Sequence, residues 1–279
     1  TTRAVDDLLH VSNQGQRSTP SKNQTLKTAH RLFDTWYTRA PYETMAGTFA
    51  MASVDEAYAV QAALQQLHTK KRGAIAGRKI ALASKTMQQM IGLDEPIAGA
   101  FFGSDVHHTP ATIRLDDFVR LGIEFELALE LKADIAPRQT EYTRLSAREL
   151  VAGVRPAFEL IEDRNADYSR LDAHTLIADN AWCGGVVLGE PVADWQQLDL
   201  GNIASRVVQP GHPDEATNTG AADPLGSLAW VLNHFSARGI ALSKGEHIIT
   251  GSAVRTRFPA SGDRLAYDVA GATVHVDLV

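Results

Sequence analysis

A chain of 279 residues, 44% apolar and 22% charged with a formal charge of −6, has the composition of a globular protein of one large or two small domains and lacks the basic blocks of a nucleic-acid binder. Its single cysteine, Cys183, excludes an intrachain disulfide and a cysteine-built zinc site and suits a reducing compartment, the cytoplasm. TTRAVDDLLH is no signal peptide and no run reaches the roughly 18 apolar residues of a membrane span, so neither secretion by that route nor a membrane partner is expected.

Residues 11–27, rich in Ser, Gln, Asn and Lys, bury too little apolar surface to offset ordering entropy and predict a mobile or draped arm. Leu32, Phe33 and Trp36 at helical spacing predict a helix over 29–40, stopped by Pro41. Ser53 with Glu56 forms a capping box before a longer helix, whose Val60, Ala63, Leu64 and Leu67 share a face and which Gly73 ends. Beyond Gly77, short apolar or alternating runs predict strands at 79–84, 123–131, 184–188, 203–208, 247–250, 265–269 and 273–278. Two helices interrupt them. One is opened by a box from Ser146 to Glu149, the other by Asp223 with Pro224 in its first turn, closing at Gly239. Without regular strand–helix alternation, a doubly wound sheet is disfavoured. The expected fold is α+β: an arm and helical part over 1–75, and a mixed or antiparallel β-rich domain over 76–279.

Strict alternation in LGIEFELALEL puts Glu124, Glu126 and Glu130 on one strand face and Ile123, Phe125, Leu127, Leu129 and Leu131 on the other. Such a pattern describes the solvated face of an edge strand, or oxygen ligands for a hard divalent ion such as Mg²⁺ or Mn²⁺. A metal site needs a third carboxylate. Glu159, set among Ala157, Phe158, Leu160 and Ile161, must pair with Arg155 or Arg164, protonate or bind metal. Lys79 and Lys85 share one face if their strand continues that far, and either could anchor an anionic substrate or sit as a solvated strand end. Asp179, Asn180 and Ser252 offer side-chain donors and acceptors for substrate, or ordinary loop chemistry. His107 and His108 read as a turn, and Cys183 has no neighbouring base to make it a nucleophile.

In order, these segments resemble the 2-keto-4-pentenoate hydratase and 4-oxalocrotonate decarboxylase family of the fumarylacetoacetate hydrolase superfamily. DEAYAVQ (55–61) resembles the family's D-A-Y-x-V-Q helix, and GRKIALASKTMQ (77–88) its G-x-K-x-G-L-T-S-x-A-M-Q segment. GLDEPIAG (92–99) is similar to its G-V-x-x-P-x-x-G turn, residues 123–128 to its I-E-x-E-x-A strand, and 156–164 to its P-A-x-E-x-x-x-x-R segment. Asp179–Ala181, the Pro224 helix, TGS at 250–252 and Gly262-Asp263 complete the series, which covers residues 50–279.

The resemblance implies a β-roll-like α+β core like the superfamily's C-terminal domain, a homo-oligomer, and Mg²⁺ or Mn²⁺ held by Glu124, Glu126 and Glu159, with Lys79 as the active-site lysine. It implies a lyase acting on 2-oxo or 2-hydroxy-2,4-dienoate acids of aromatic meta-cleavage catabolism. Where hydratases of the family carry an aspartate in E-P-D-x-G, Ile97 stands here and cannot activate water; the tyrosine that follows isoleucine in the decarboxylase branch is replaced by Ala98. Decarboxylation is therefore expected ahead of hydration. A hydrolase of carbon–carbon bonds using His107 or His108, and a metal-free binding module, are the other readings.

Overall fold

A computed structural model of the chain describes residues 22–279. Residues 11–21 of the expected arm lie outside the described residues. Its remainder is not arm: Lys22 to Lys27 begin helix α1 (Lys22–Thr38), because the helix buries Ala29 and Leu32 against α2 (Val54–Arg72) and pulls its polar first turns with it. Helix α2 is capped as its sequence demands. The Glu56 amide donates to Ser53 Oγ at 3.2 Å, and Gly73 ends the helix at φ 83°.

The strand predicted over 79–84 is β1 (Ile75–Ala81), which starts four residues earlier than expected and ends three residues sooner. Ser84 instead caps a short helix, α3 (Lys85–Met90), so Lys85 leaves the strand and shares no face with Lys79. The segment read as a turn runs into β2 (Ile97–Phe102), and His107 and His108, read as a turn, belong to β3 (Val106–His108). A short β4 (Ala111–Ile113) precedes β5 (Leu121–Leu131). The box at Ser146 opens nothing. Thr143 is the cap of α4 (Arg144–Arg148), and Ser146 sits inside it, its amide donating to Thr143 Oγ1. β6 (Val151–Glu162), α5 (Ala173–Ala178), β7 (Cys183–Leu188), β8 (Ala204–Val208) and β9 (Glu215–Asn218) follow. Helix α6 (Pro224–Ala237) starts where expected, with Asp223 accepting from the Gly226 amide, and β10 (His247–Ile249), β11 (Arg264–Val269) and β12 (Ala272–Leu278) close the chain.

Two mixed sheets result. The larger runs β2-β1-β10-β5-β6-β7-β3, with β1/β10 and β3/β7 parallel; the smaller runs β4-β12-β11-β8-β9, with β12/β4 parallel. β5 is thus an interior strand rather than the edge that its alternation suggested, and neither of its faces is open to water along most of its length. Its apolar face meets the smaller sheet: Phe125 packs edge-on against Phe158 of β6 at 5.2 Å and Tyr267 of β11 at 5.8 Å. The opposite face carries the glutamates, and Glu124 there lines a cavity together with Lys79 of β1 and residues of the loops at 168–171, 181–182 and 251–256. Among the described residues no helix is long and apolar enough to cross a membrane.

Candidate metal centre and active site

The antiparallel register of β5 and β6 builds the acidic centre. Glu124 stands directly opposite Glu159, and Glu126 opposite Ala157, so three carboxylates lie on one sheet face. Each offers an oxygen within 4.8 Å of the other two. Small neighbours at Ala157 and Ala128 leave that face low enough for the carboxylates to converge.

Their surroundings are specific. Glu126 is buried, and its Oε2 accepts from the Gly251 amide at 2.7 Å. Gly251 holds φ +98°, a left-handed backbone that glycine adopts without strain, and this aims its N–H inward. The Thr256 hydroxyl donates to Glu124 Oε1 at 2.5 Å. Glu159, fully buried, forms an ion pair with Lys79, which reaches across from β1 and also donates to the Ala181 carbonyl at 3.0 Å. Yet Glu126 Oε1 and Glu159 Oε2 are buried with no hydrogen-bond partner. Such orphaned carboxylate oxygens, each costing roughly 1–3 kcal/mol when nothing satisfies them, are the donor set of a hard cation with oxygen ligands. Three carboxylates and one ammonium leave a formal charge of −2, which a divalent ion neutralises. The residues present fit Mg²⁺ or Mn²⁺.

Burial pushes the Glu159 carboxyl up to about 7, the Lys79 ammonium opposing and Glu124 adding to the rise. Glu126 stands well above the ordinary glutamate value for the same first reason, reinforced by Glu159 and Glu124. Burial opposes the charge on Lys79, but Glu159, Cys183 and Glu124 together outweigh it and leave the pKa of the ammonium raised. Between the ordinary glutamate value of 4.5 and about 7, the folded metal-free protein keeps a proton on Glu159 that the unfolded chain has released. Stability from this group therefore falls as pH rises through that window, by about 1.4 kcal/mol per unit where one proton separates the two states. Denaturant midpoints at pH 5 and pH 7 in a chelator should show the decline; saturating Mg²⁺ should flatten it, and Glu159→Gln should lessen it while the raised Glu126 still adds its own fall.

A cavity of about 260 Å³ opens onto Lys79 and Glu124. Its walls are mostly apolar, with Leu82, Ile161, Leu171, Leu176 and Trp182 among them, and it reaches solvent past Ala83, Ser84 and Met87. Ser252 lines it, its Oγ accepting from the Phe125 amide at 2.9 Å. Of the other candidate substrate contacts, Lys85 donates instead to the Asp94 carbonyl at 2.7 Å on the exposed side of α3. Asp179 is fully buried, ion-paired with Arg164 and accepting from Trp36 Nε1 at 2.7 Å, and Asn180 is bound to Ala100. None of these three lines the cavity. His107 lines a different cavity, and no histidine lines this one among the described residues. Cys183 is buried, and burial pushes its thiol well up, so it stays inert.

Three contributors escape sequence reading. The Ala181 carbonyl and the Gly251 amide are backbone groups whose residue types carry no sign of their role, and Tyr168 enters the wall from a loop turn. Only the glycine gave a signal, since TGS marks a turn.

No protein-family model matches the sequence. The chain is 31% identical over 237 residues to 2-keto-4-pentenoate hydratase of Paraburkholderia xenovorans, covering 84% of this chain and 86% of that protein. To 2-hydroxyhexa-2,4-dienoate hydratase of Comamonas testosteroni it is 29% identical over 273 residues, 96% of each chain. The fold is that of 4-oxalocrotonate decarboxylase from Pseudomonas putida G7, solved with magnesium and adipate, at a TM-score of 0.84 and 22% identity over 94% of this chain and 99% of the other. With paired-strand glutamates, a buried lysine and this breadth of sequence similarity, the chain belongs to the 2-keto-4-pentenoate hydratase family.

Proposed function

We propose that the chain is a divalent-metal-dependent lyase of 2-oxo or 2-hydroxy-2,4-dienoate acids, acting by decarboxylation ahead of hydration. Glu124, Glu126 and Glu159 hold Mg²⁺ or Mn²⁺, and Lys79 is the catalytic residue. The observation that carries the reading is the convergence of three carboxylates on one point, two of their buried oxygens lacking any other partner, beside an ammonium at the base of a cavity. Relatives named for hydration of 2-hydroxydienoates support the substrate class.

Mg²⁺ bound there supplies a Lewis acid for the carboxylate and C2 oxygen of a 2-oxo acid. Lys79 then binds the substrate carboxylate or moves a proton at the carbon chain, since two of its three N–H donors are engaged by Glu159 and Ala181 and one is left over. Decarboxylation breaks the C–C bond to the distal carboxylate of a vinylogous β-keto acid; CO₂ leaves, and the freed pair passes through the intervening C=C to the C2 oxygen as a dienolate that a proton then quenches on carbon. Apolar walls favour the step, which turns a localised carboxylate charge into a delocalised one.

Hydration needs a base for water. Among the described residues, besides the metal-facing Glu124 and Lys79, the only titratable group lining the cavity is Tyr168, whose hydroxyl donates to Asp163 at 3.0 Å and whose pKa burial raises. Ile97, buried opposite Ala81 in the β1/β2 ladder, supplies none. A hydrolase with a histidine base has no histidine at hand in this cavity. The proposal includes a homo-oligomer working in the cytoplasm, in keeping with the family and the lone reduced cysteine.

The test follows 4-oxalocrotonate and 2-hydroxypenta-2,4-dienoate in parallel, with Mg²⁺ and with chelator, by ultraviolet absorbance and CO₂ release. Mg²⁺-dependent CO₂ release from the first is the expected result. Conversion of the second alone reassigns the chain to hydration, and conversion of neither removes the enzyme reading.

A further inference from the structure

The geometry points to the Asn180–Trp182 turn as the device that aims the Lys79 ammonium, with Asn180 as a positioning residue; this rests on the reading of Lys79 given above. Asn180, Ala181 and Trp182 take φ of 57°, 48° and 58° in succession. Left-handed backbone at a non-glycine residue is strained and persists only where the surroundings over-determine it. Three in a row need strong restraint.

That restraint is on Asn180. Its Nδ2 donates to the Ala100 carbonyl at 2.7 Å, and its Oδ1 accepts from the Ala100 amide at 2.9 Å and from Gln65 Nε2 at 2.9 Å. The side chain thus closes onto β2 like an added ladder rung and is tied to α2 as well. Gln65 is itself held by Gln61, whose Nε2 donates to the Ala98 and Ile177 carbonyls at 2.8 and 2.7 Å. On the other side of the turn, Asp179 is locked by Arg164 and Trp36. The product of this bracing is one carbonyl, that of Ala181, placed 3.0 Å from Lys79 Nζ.

Gly99 permits the approach. It pairs with Lys79 across the β1/β2 ladder, and a Cβ there would lie 2.7 Å from the Asn180 carbonyl oxygen and 3.1 Å from Lys79 Cγ. Asn180 is fully buried and is not in the lining of the cavity beside Lys79, so it acts through Ala181 and Lys79. A lysine has a long stem with much rotamer freedom; two fixed partners leave its third N–H with a defined direction. Misplacement of a reacting group by about 1 Å costs roughly 100-fold in rate.

The test measures turnover of whichever dienoate the enzyme converts, with calorimetric binding of Mg²⁺ and of oxalate to the Mg²⁺-loaded protein. Asn180→Ala should lower kcat about 100-fold while Mg²⁺ affinity stays within about twofold, and Gly99→Ala, which pushes on the same turn from the strand side, should do likewise. In a Lys79→Met background, Asn180→Ala should change the residual rate less than about twofold, because residues acting through one another are not additive. Equal losses in both backgrounds, or full activity of folded Asn180→Ala, overturn the positioning role. Should Asn180→Ala fail to fold, Gln65→Ala removes one of its three bonds and is judged by the same criteria. Full activity of Lys79→Met would instead overturn the reading of Lys79 on which the proposal rests.

Discussion

Glu124→Ala should abolish Mg²⁺-dependent turnover and weaken Mg²⁺ binding, measured by calorimetry, by well over the roughly 10–100-fold that loss of an outer partner of a metal ligand costs. The reason lies in the ligand count. Two strands supply three carboxylates to one point, and removing the one opposite Glu159 leaves a pair that cannot balance a divalent charge beside Lys79. The same substitution should not lower the melting temperature of the metal-free protein. Glu124 raises the pKa of both Glu126 and Glu159 by repulsion, and its removal relieves that repulsion. Retained metal affinity, or a fall of several degrees in the metal-free melting temperature, would contradict the site.

Lys79→Met should show the opposite pattern. Turnover is expected to fall by about 10²–10⁴, the usual contribution of a positioned proton donor or acceptor, while Mg²⁺ still binds. Metal-free stability should drop by up to about 3–5 kcal/mol, most at pH above about 7, because there Glu159 gives up its proton and is left as a buried charge without its partner. Saturating Mg²⁺ should recover much of that loss, since the ion replaces the ammonium as counter-charge. Denaturant titrations with and without Mg²⁺, run beside the kinetics, check both halves. A variant that keeps its turnover would remove Lys79 from the chemistry, and one that loses Mg²⁺ binding would make it part of the metal site instead.

The contrast between the two variants follows from where each charge sits. Glu124 is the least buried of the three carboxylates and has the Thr256 hydroxyl as a partner, so the fold tolerates its loss. Lys79 is buried at the base of the cavity, and its charge is the only cation within reach of Glu159 among the salt bridges described. One group serves the ion and the other serves both the fold and the reaction.

Local chemistry by itself determined a good deal of this protein. Alternation alone put Glu124 and Glu126 on one face of β5, because successive side chains of a strand point opposite ways whatever surrounds them. Capping alone placed the starts of α2 at Ser53 and α6 at Asp223, where a side-chain oxygen meets an amide two or three residues on. Only the tertiary structure decided the rest. Whether the acidic face is solvated or enclosed depended on β10 and β6 flanking β5, and whether Glu159 is a third ligand or an arginine's partner depended on the β5/β6 register. Lys85 and Lys79 parted company because Ser84 found a helix to cap, and Asp179 and Asn180 turned from the cavity to brace a backbone turn. These outcomes hang on hydrogen bonds between residues far apart in the chain, 143 positions between Trp36 and Asp179 and 127 between Phe125 and Ser252. Such pairings carry no local signature, since the free energy that selects them exists only once the distant partner has been folded into place.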